Sequence, residues 1–244
     1  MKKKIAASCL ALALPAAGQA QEWTFDATLY GWLPGLNATL DTPFGEVESD
    51  QGGSDALEDL DMAFMGTFEA RRGPWGFLFD LLYADLSDDA ATPLDLAFRD
   101  LELETRMTAF SGYALYRVAQ TPRVAVDLGA GFRTFSAALT ADLQAERAAE
   151  DRTYEADETW TVPLLAARAI VPFNGSWFAT GSVDAGATTG DASTWQAIAT
   201  VGYRFNASWS VQAGYRHMDI QKEIESLDAD IALSGPLIGM SYRF

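Results

Sequence analysis

The chain alternates apolar and polar residues along most of its length, most clearly in its last stretch. Counted back in twos from Phe244, every residue as far as Ile238 is apolar, whereas the residues between them are Arg243, Ser241 and Gly239. A period of two predicts a β-strand with one apolar and one polar face.

The same period recurs in ten segments, which are separated by turn residues or by acidic stretches. The predicted strands are 23–33, 62–71, 75–84, 101–116, 124–133, 160–171, 177–187, 195–205, 209–216 and 233–244. Short turns alternate with longer connections. The short turns are 72–74, 119–123, 173–176 and 206–208. The other set is 34–61, 87–100, 141–159, 188–194 and 221–230, of which 188–194 is the exception at seven residues. This order predicts an all-β, antiparallel up-and-down barrel of about ten strands. Eight strands result if a weak strand fails, and twelve result if 34–61 forms a hairpin of its own.

A terminal Phe244 preceded two residues earlier by Tyr242 resembles the closing strand of Gram-negative outer-membrane β-barrels, in the broad porin-like and OmpA-type grouping. In such proteins apolar side chains face lipid on one side of each strand, with aromatic residues at both interfaces. The resemblance implies a transmembrane barrel in the outer membrane, with long acidic extracellular loops and short periplasmic turns. It also implies three partners: outer-membrane lipid, lipopolysaccharide, and the barrel-assembly machinery, which reads Tyr242 and Phe244.

The start of the chain has the pattern of a secretory signal peptide. Three lysines precede a short apolar run, and small residues end it at Ala20, so we expect cleavage there and a single barrel domain over 21–244. The one cysteine, Cys9, lies in the signal peptide. No later segment offers about 18 uncharged apolar residues, so any membrane crossing is expected to use strands.

Acidic residues dominate the charge, which is −17 overall and −20 without the three signal-peptide lysines. This acidity argues against nucleic acid as a partner, because binding to phosphates requires clustered Lys and Arg. The acids crowd the longer connections, where divalent cations are a further candidate partner. No spaced calcium motif is present, so neither a metal site nor a cofactor is predicted.

Charged residues also occupy the polar face of the predicted strands, which would line the lumen. The predicted lumen charge network comprises Asp26, Glu69, Asp80, Glu104, Arg106, Asp127, Arg133, Arg168, Asp184, Arg204 and Arg216. Side chains of this size nearly fill a barrel of about ten strands, and charges removed from water must be paired. We therefore predict a largely plugged lumen with a structural, narrow-pore or surface-binding role. A small diffusion channel with a charged constriction is the alternative.

A weaker alternative is an enzyme at the outer rim. His217, the single histidine, and Asp219 are two residues apart near a strand end, and proteases of the omptin type also pair a His with an Asp at the mouth of a ten-stranded barrel. The second acidic pair such an enzyme needs would be Asp88 and Asp89, which are adjacent and cannot share a strand face. Lipid A-modifying barrels would need a serine beside that histidine, and none is evident. We therefore predict no catalytic residues and no enzyme activity.

Overall fold

Twelve β-strands form one antiparallel sheet in the computed structural model, which describes residues 22–42, 45–51, 60–90, 98–145, 152–190, 192–224 and 227–244. The strands are β1 (Thr24–Trp32), β2 (Gly35–Thr42), β3 (Gly45–Gln51), β4 (Leu60–Arg72), β5 (Trp75–Ala90), β6 (Phe98–Gln120), β7 (Ala125–Ala145), β8 (Arg152–Phe173), β9 (Trp177–Ala187), β10 (Ala192–Arg204), β11 (Trp209–Ile224) and β12 (Leu227–Arg243). Within these ranges no helix is long and apolar enough to cross a membrane. The predicted signal peptide lies outside the described residues.

The sheet closes on itself through the two ends of the chain. β1 pairs with β4 on one edge and with β12 on the other, from Asp26 opposite Arg243 to Trp32 opposite Leu237. β1 and β4 to β12 therefore make a closed ring of ten strands in the described part of the chain, which confirms the predicted barrel.

The first long connection does form a hairpin, but the hairpin does not enlarge the ring. β2 pairs with β3 and also with the first half of β12, between Asp228 and Ser234. The chain leaves the sheet at Leu33 and Pro34, and β2 then continues along β12 beyond the end of β1. The barrel thus keeps ten strands and carries an extra hairpin at one end.

We call this end the loop end, and the opposite end the turn end. At the turn end the connections are short; only three residues lie between the paired Phe173 and Trp177, and two of them, Asn174 and Gly175, have positive φ (51° and 70°), which Asn and Gly adopt more readily than other residues. Toward the loop end the strands are longer than predicted, because much of the acidic sequence at 87–90, 98–100, 141–145 and 152–159 is strand rather than loop. At about 3.3 Å per residue and a tilt near 40°, the 23 residues of β6 rise about 58 Å, roughly twice the height of a membrane-facing apolar band.

The outer face of the barrel is apolar. Many large apolar side chains are exposed there, including Leu29, Phe64, Phe68, Phe77, Phe79, Leu128, Phe132, Leu165, Val183, Val201, Ile238 and Met240. Aromatic residues gather near the turn end, among them Trp75 against Tyr116 and Trp177 against Tyr203. A soluble protein does not expose a continuous band of this kind.

The interior contains apolar side chains as well. One buried cluster, which we call the apolar layer, consists of Trp32, Leu82, Ala109, Phe135, Met218, Ile220, Leu233 and Leu237. A second cluster, Tyr113, Leu115, Val162, Leu164 and Ala192, lies against it through Trp160. The predicted lumen network contains charged residues alone, so an apolar layer across the lumen is an addition to that prediction.

Candidate functional site

A cluster of paired charges crosses the lumen near the turn end. This turn-end cluster comprises Glu69 and Arg71 on β4, Arg117 on β6, Asp127 on β7 and Arg168 on β8. Arg168 donates to both oxygens of Glu69 (2.7 and 2.8 Å) and to Asp127 (2.8 Å). Arg71 reaches the same two carboxylates at 3.0 and 2.9 Å, and Arg117 donates to both oxygens of Asp127 (2.5 and 3.1 Å).

The turn-end cluster connects strands that are not neighbours in the ring. Glu69 lies on β4 and Arg168 on β8, with three strands between them in the sheet order. Asp127 is 1% exposed and accepts hydrogen bonds from three guanidinium groups. Burial of so many charges is tolerated because each is paired, so the cluster both fills the lumen and fixes the distance between opposite walls.

A second group lies nearer the middle of the barrel, around Arg133 on β7. Its guanidinium donates to Asp184 (2.9 Å), Ser111 (2.9 Å) and Tyr113 (2.9 Å), and contacts Thr194 at 3.3 Å. The hydroxyl of Tyr113 also donates to Asp184, at 3.1 Å. Arg133 is 0% exposed, and its partners come from β6, β9 and β10.

A third group surrounds Arg216 on β11. Arg216 donates to Gln196 (3.1 Å) and Tyr30 (2.8 Å) and forms an ion pair with Asp80 (3.2 Å), while Tyr30 donates to Asp80 at 2.7 Å. The guanidinium also lies over the ring of Trp32, 4.8 Å from its centroid. Arg216 and Asp80 are separated by several strands, so this pair also spans the lumen.

The apolar layer lies directly on the loop-end side of these two groups. In β5, β7 and β11 the residue two positions further toward the loop end is Leu82 after Asp80, Phe135 after Arg133 and Met218 after Arg216. The same step in β1 leads from Tyr30 to Trp32. A charged level and an apolar level are therefore stacked across the lumen.

Two further predicted lumen residues lie at its turn end. Asp26 pairs with Arg243 at 2.9 Å, in a bridge between β1 and β12 whose arginine is 53% exposed. Arg204 lies over the ring of Phe178, 4.4 Å from its centroid. Neither contacts the buried groups through a described interaction, so they border the network.

The prediction for Arg106 is wrong. Its side chain is 53% exposed and pairs at 3.3 Å with Asp85, its cross-strand neighbour on β5, on the outer face. The buried residues of β6 are those of the opposite parity, including Tyr113 and Leu115. The side chain of Glu104, assigned by the same parity, lies outside the described residues.

His217 also has a partner that the sequence analysis missed. It lies on the outer face of β11, and its Nδ1 is 2.5 Å from Oγ of Ser234, the residue directly opposite on β12. The expectation that no serine lies beside this histidine is therefore wrong. The register of the β11–β12 hairpin brings the two residues together. Ile224 pairs with Leu227 at the loop end, so residues at equal distances from this pair along the two strands, such as His217 and Ser234, lie opposite each other. The side chains of Asp88 and Asp89 lie outside the described residues.

The terminal aromatic residues lie together at the turn end. The rings of Tyr242 and Phe244 meet edge to face at 4.9 Å, and Tyr242 packs on Trp209 at 4.7 Å. The amide of Phe244 donates to the carbonyl of Phe25 at 2.9 Å, which extends the β1–β12 pairing to the last residue.

Comparison with solved structures finds similar barrels at low identity. The outer membrane protease OmpT from Escherichia coli has a TM-score of 0.60 at 8% identity, over 92% of this chain and 97% of that one. Ail, the attachment invasion locus protein of Yersinia pestis, has a TM-score of 0.39 at 7% identity, over 91% of this chain and 98% of that one. A FadL homologue from Pseudomonas aeruginosa has a TM-score of 0.36 at 8% identity, over 92% and 90%.

No curated protein matches the sequence. The family model of the outer membrane protein beta-barrel domain matches residues 6–244. That match covers nearly the whole chain and agrees with the closed ring of ten strands, so the protein belongs to the outer-membrane β-barrel family and is located in the outer membrane.

Proposed function

We propose that this barrel is sealed, and that it acts through its outer face and its loop end rather than as a diffusion channel. The observation that carries the proposal is the stacking of two levels across the lumen. Arg133 and Arg216 are 0% and 2% exposed within one level, and Phe135 and Met218 are each 1% exposed within the next.

Each level opposes permeation for a different physical reason. An ion that enters the charged level must displace a bond between paired groups such as Arg216 and Asp80, and the separated charges would then lack partners. The apolar layer offers no hydrogen bonds to replace an ion's hydration shell, and a hydrophobic constriction resists wetting. A polar solute therefore meets two unlike barriers in series.

A structural or surface-binding role is the form of the proposal that agrees best with this interior. The turn-end cluster connects opposite walls and stiffens the barrel, while the strands extend above the apolar band and present a large loop-end surface. By the usual asymmetry of such barrels the loop end faces outward from the cell and the turn end faces the periplasm.

Planar-bilayer recording tests the proposal against a diffusion channel. Purified protein should give no steady openings at moderate voltage in a bilayer where a general porin conducts. Replacing Arg133 and Arg216 with alanine should leave it closed, because the apolar layer remains; replacing Trp32 and Phe135 as well should produce openings. Steady porin-like conductance of the wild-type protein would overturn the proposal.

A further inference from the structure

A serine and a histidine are hydrogen-bonded to each other on the outer face of the barrel. Ser234 Oγ lies 2.5 Å from His217 Nδ1, and both side chains are only partly buried. A serine within hydrogen-bond reach of a histidine is the arrangement that activates a hydroxyl as a nucleophile. The lumen network does not include either residue, so the sealed interior gives them no role.

Neighbouring side chains fix the histidine. The ring of Trp195 on β10 packs against His217 with centroids 4.5 Å apart. Asp219 follows two residues along β11 on the same outer face. The ring is thus held between the indole and Ser234, with a carboxylate nearby.

The pair lies at the height of the outer-leaflet interface. Trp209 marks the aromatic residues at the turn end, and His217 lies eight residues further along β11. At about 3.3 Å per residue and a tilt near 40°, this places the histidine about 20 Å above Trp209, near the top of an apolar band about 25 Å tall. Acyl ester bonds lie at this boundary between hydrocarbon and head group.

An apolar hollow of about 520 Å³ begins at His217 and runs over the outer face toward the middle of the band. The strand register sets its lining in two rows across β11, β10, β9 and β8, one of His217, Ala197, Val183 and Ala167 and the other of Tyr215, Ala199, Gly181 and Ala169. The alanines of both rows and Gly181 are small, and their small side chains create the hollow. An added Cβ at Gly181 would meet no atom within 4 Å, so the space is open.

We infer that Ser234 and His217 hydrolyse an acyl ester of an outer-leaflet membrane lipid, with the acyl chain lying in this hollow. Ser234 Oγ bonds to the ester carbonyl carbon while its proton passes to His217 Nδ1. The bond to the lipid's alcohol oxygen breaks, that oxygen takes the proton, and an acyl-serine remains. Water then attacks the acyl carbon and gives its proton to Nδ1; Oγ regains that proton as the fatty acid leaves.

Fatty-acid release from labelled vesicles tests the inference directly. The protein is reconstituted with acyl-labelled lipopolysaccharide in one arm and acyl-labelled phospholipid in the other. Release in either arm that falls at least about 100-fold in Ser234→Ala and in His217→Ala supports the inference, and the arm that reacts identifies the lipid. Ser136→Ala, an exposed serine on the outer face of β7, is the matched control and should keep full activity.

Gly181→Leu tests whether the hollow binds the acyl chain, separately from whether Ser234 and His217 hydrolyse the ester. It should raise KM for the long-chain lipid at least tenfold while leaving hydrolysis of a short, water-soluble ester unchanged, because the side chain fills the hollow without contacting Ser234. Heat-modifiable gel mobility confirms that each variant is folded. The inference is overturned if neither arm shows Ser234-dependent release, or if an alkyl phosphonate probe fails to label Ser234 in the folded wild-type protein. Both results are independent of whether the lumen conducts.

Discussion

Asp127 offers the sharpest test of the turn-end cluster. It accepts hydrogen bonds from Arg71, Arg117 and Arg168, and it is 1% exposed. In Asp127→Asn the shape is kept but the negative charge is lost, which leaves three arginines around the single carboxylate of Glu69.

The expected loss follows from which arginine is left without a carboxylate. Arg71 and Arg168 retain Glu69, whereas Arg117 is left with neutral acceptors alone, the amide oxygen at position 127 and the side-chain oxygen of Gln120. Loss of one partner from a buried pair costs about 3–5 kcal/mol, so the free energy of unfolding should fall by about that amount.

Urea unfolding in lipid vesicles, followed by tryptophan fluorescence, measures this change. Asp85→Asn is the matched control, because Asp85 pairs with Arg106 on the outer face where the arginine is 53% exposed. An exposed pair of this kind contributes about 0–1 kcal/mol. Equal losses of unfolding free energy in the two variants would refute the idea that the turn-end cluster is buried and stabilises the barrel by connecting opposite walls.

Three other predictions concern the apolar outer face, the C-terminal aromatic residue and the close approach of neighbouring strands. Val201→Arg places a charge on the outer face of β10 and should reduce insertion, at a cost of about 2–4 kcal/mol at mid-bilayer; wild-type folding yield in vesicles would contradict that orientation. Phe244→Ala should slow assembly in cells more than it lowers the unfolding free energy of folded protein; normal assembly rates in pulse-chase would show that the terminal aromatic is not read. Gly214→Ala should destabilise by about 1–3 kcal/mol because its Cβ would lie 1.9 Å from the carbonyl oxygen of Ala199, while Gly181→Ala should have little effect; equal unfolding midpoints would count against the close strand approach.

The period-two alternation was enough to predict the barrel and all ten of its ring strands. A lipid-facing side must be apolar along its whole length, so most strands have a clear outer face in the sequence. The alternation could not show where the strands end toward the loop end, because residues above the membrane have polar neighbours on both faces. Those acidic segments look like loops until cross-strand pairing is known.

The lumen was predicted less completely, and β6 explains why. Its outer face carries Phe110 and Tyr116, and its inner face carries Tyr113 and Leu115, so apolar content does not distinguish the two sides. The parity was therefore assigned wrongly, which misplaced Arg106. The apolar layer was not predicted as a unit, since large apolar residues in a barrel are expected to face lipid.

Contacts between strands were the other limit. His217 and Ser234 are 17 residues apart in sequence and become neighbours through the register of one hairpin. Arg168 has its partner Glu69 on β4, and Arg216 has its partner Asp80 on β5. Which residues meet across the lumen depends on the diameter and stagger of the closed ring, and no local sequence pattern encodes these.

Thiol accessibility within the folded barrel tests the closed lumen most directly. In a chain without Cys9, Ser111→Cys places a thiol at a 1% exposed lumen position beside Arg133, and Gly190→Cys places one in open space at the loop end. If the lumen is sealed, a membrane-impermeant maleimide labels Gly190→Cys within minutes and labels Ser111→Cys only after unfolding in urea. Labelling of Ser111→Cys in the folded protein at the rate seen for Gly190→Cys would contradict a sealed lumen.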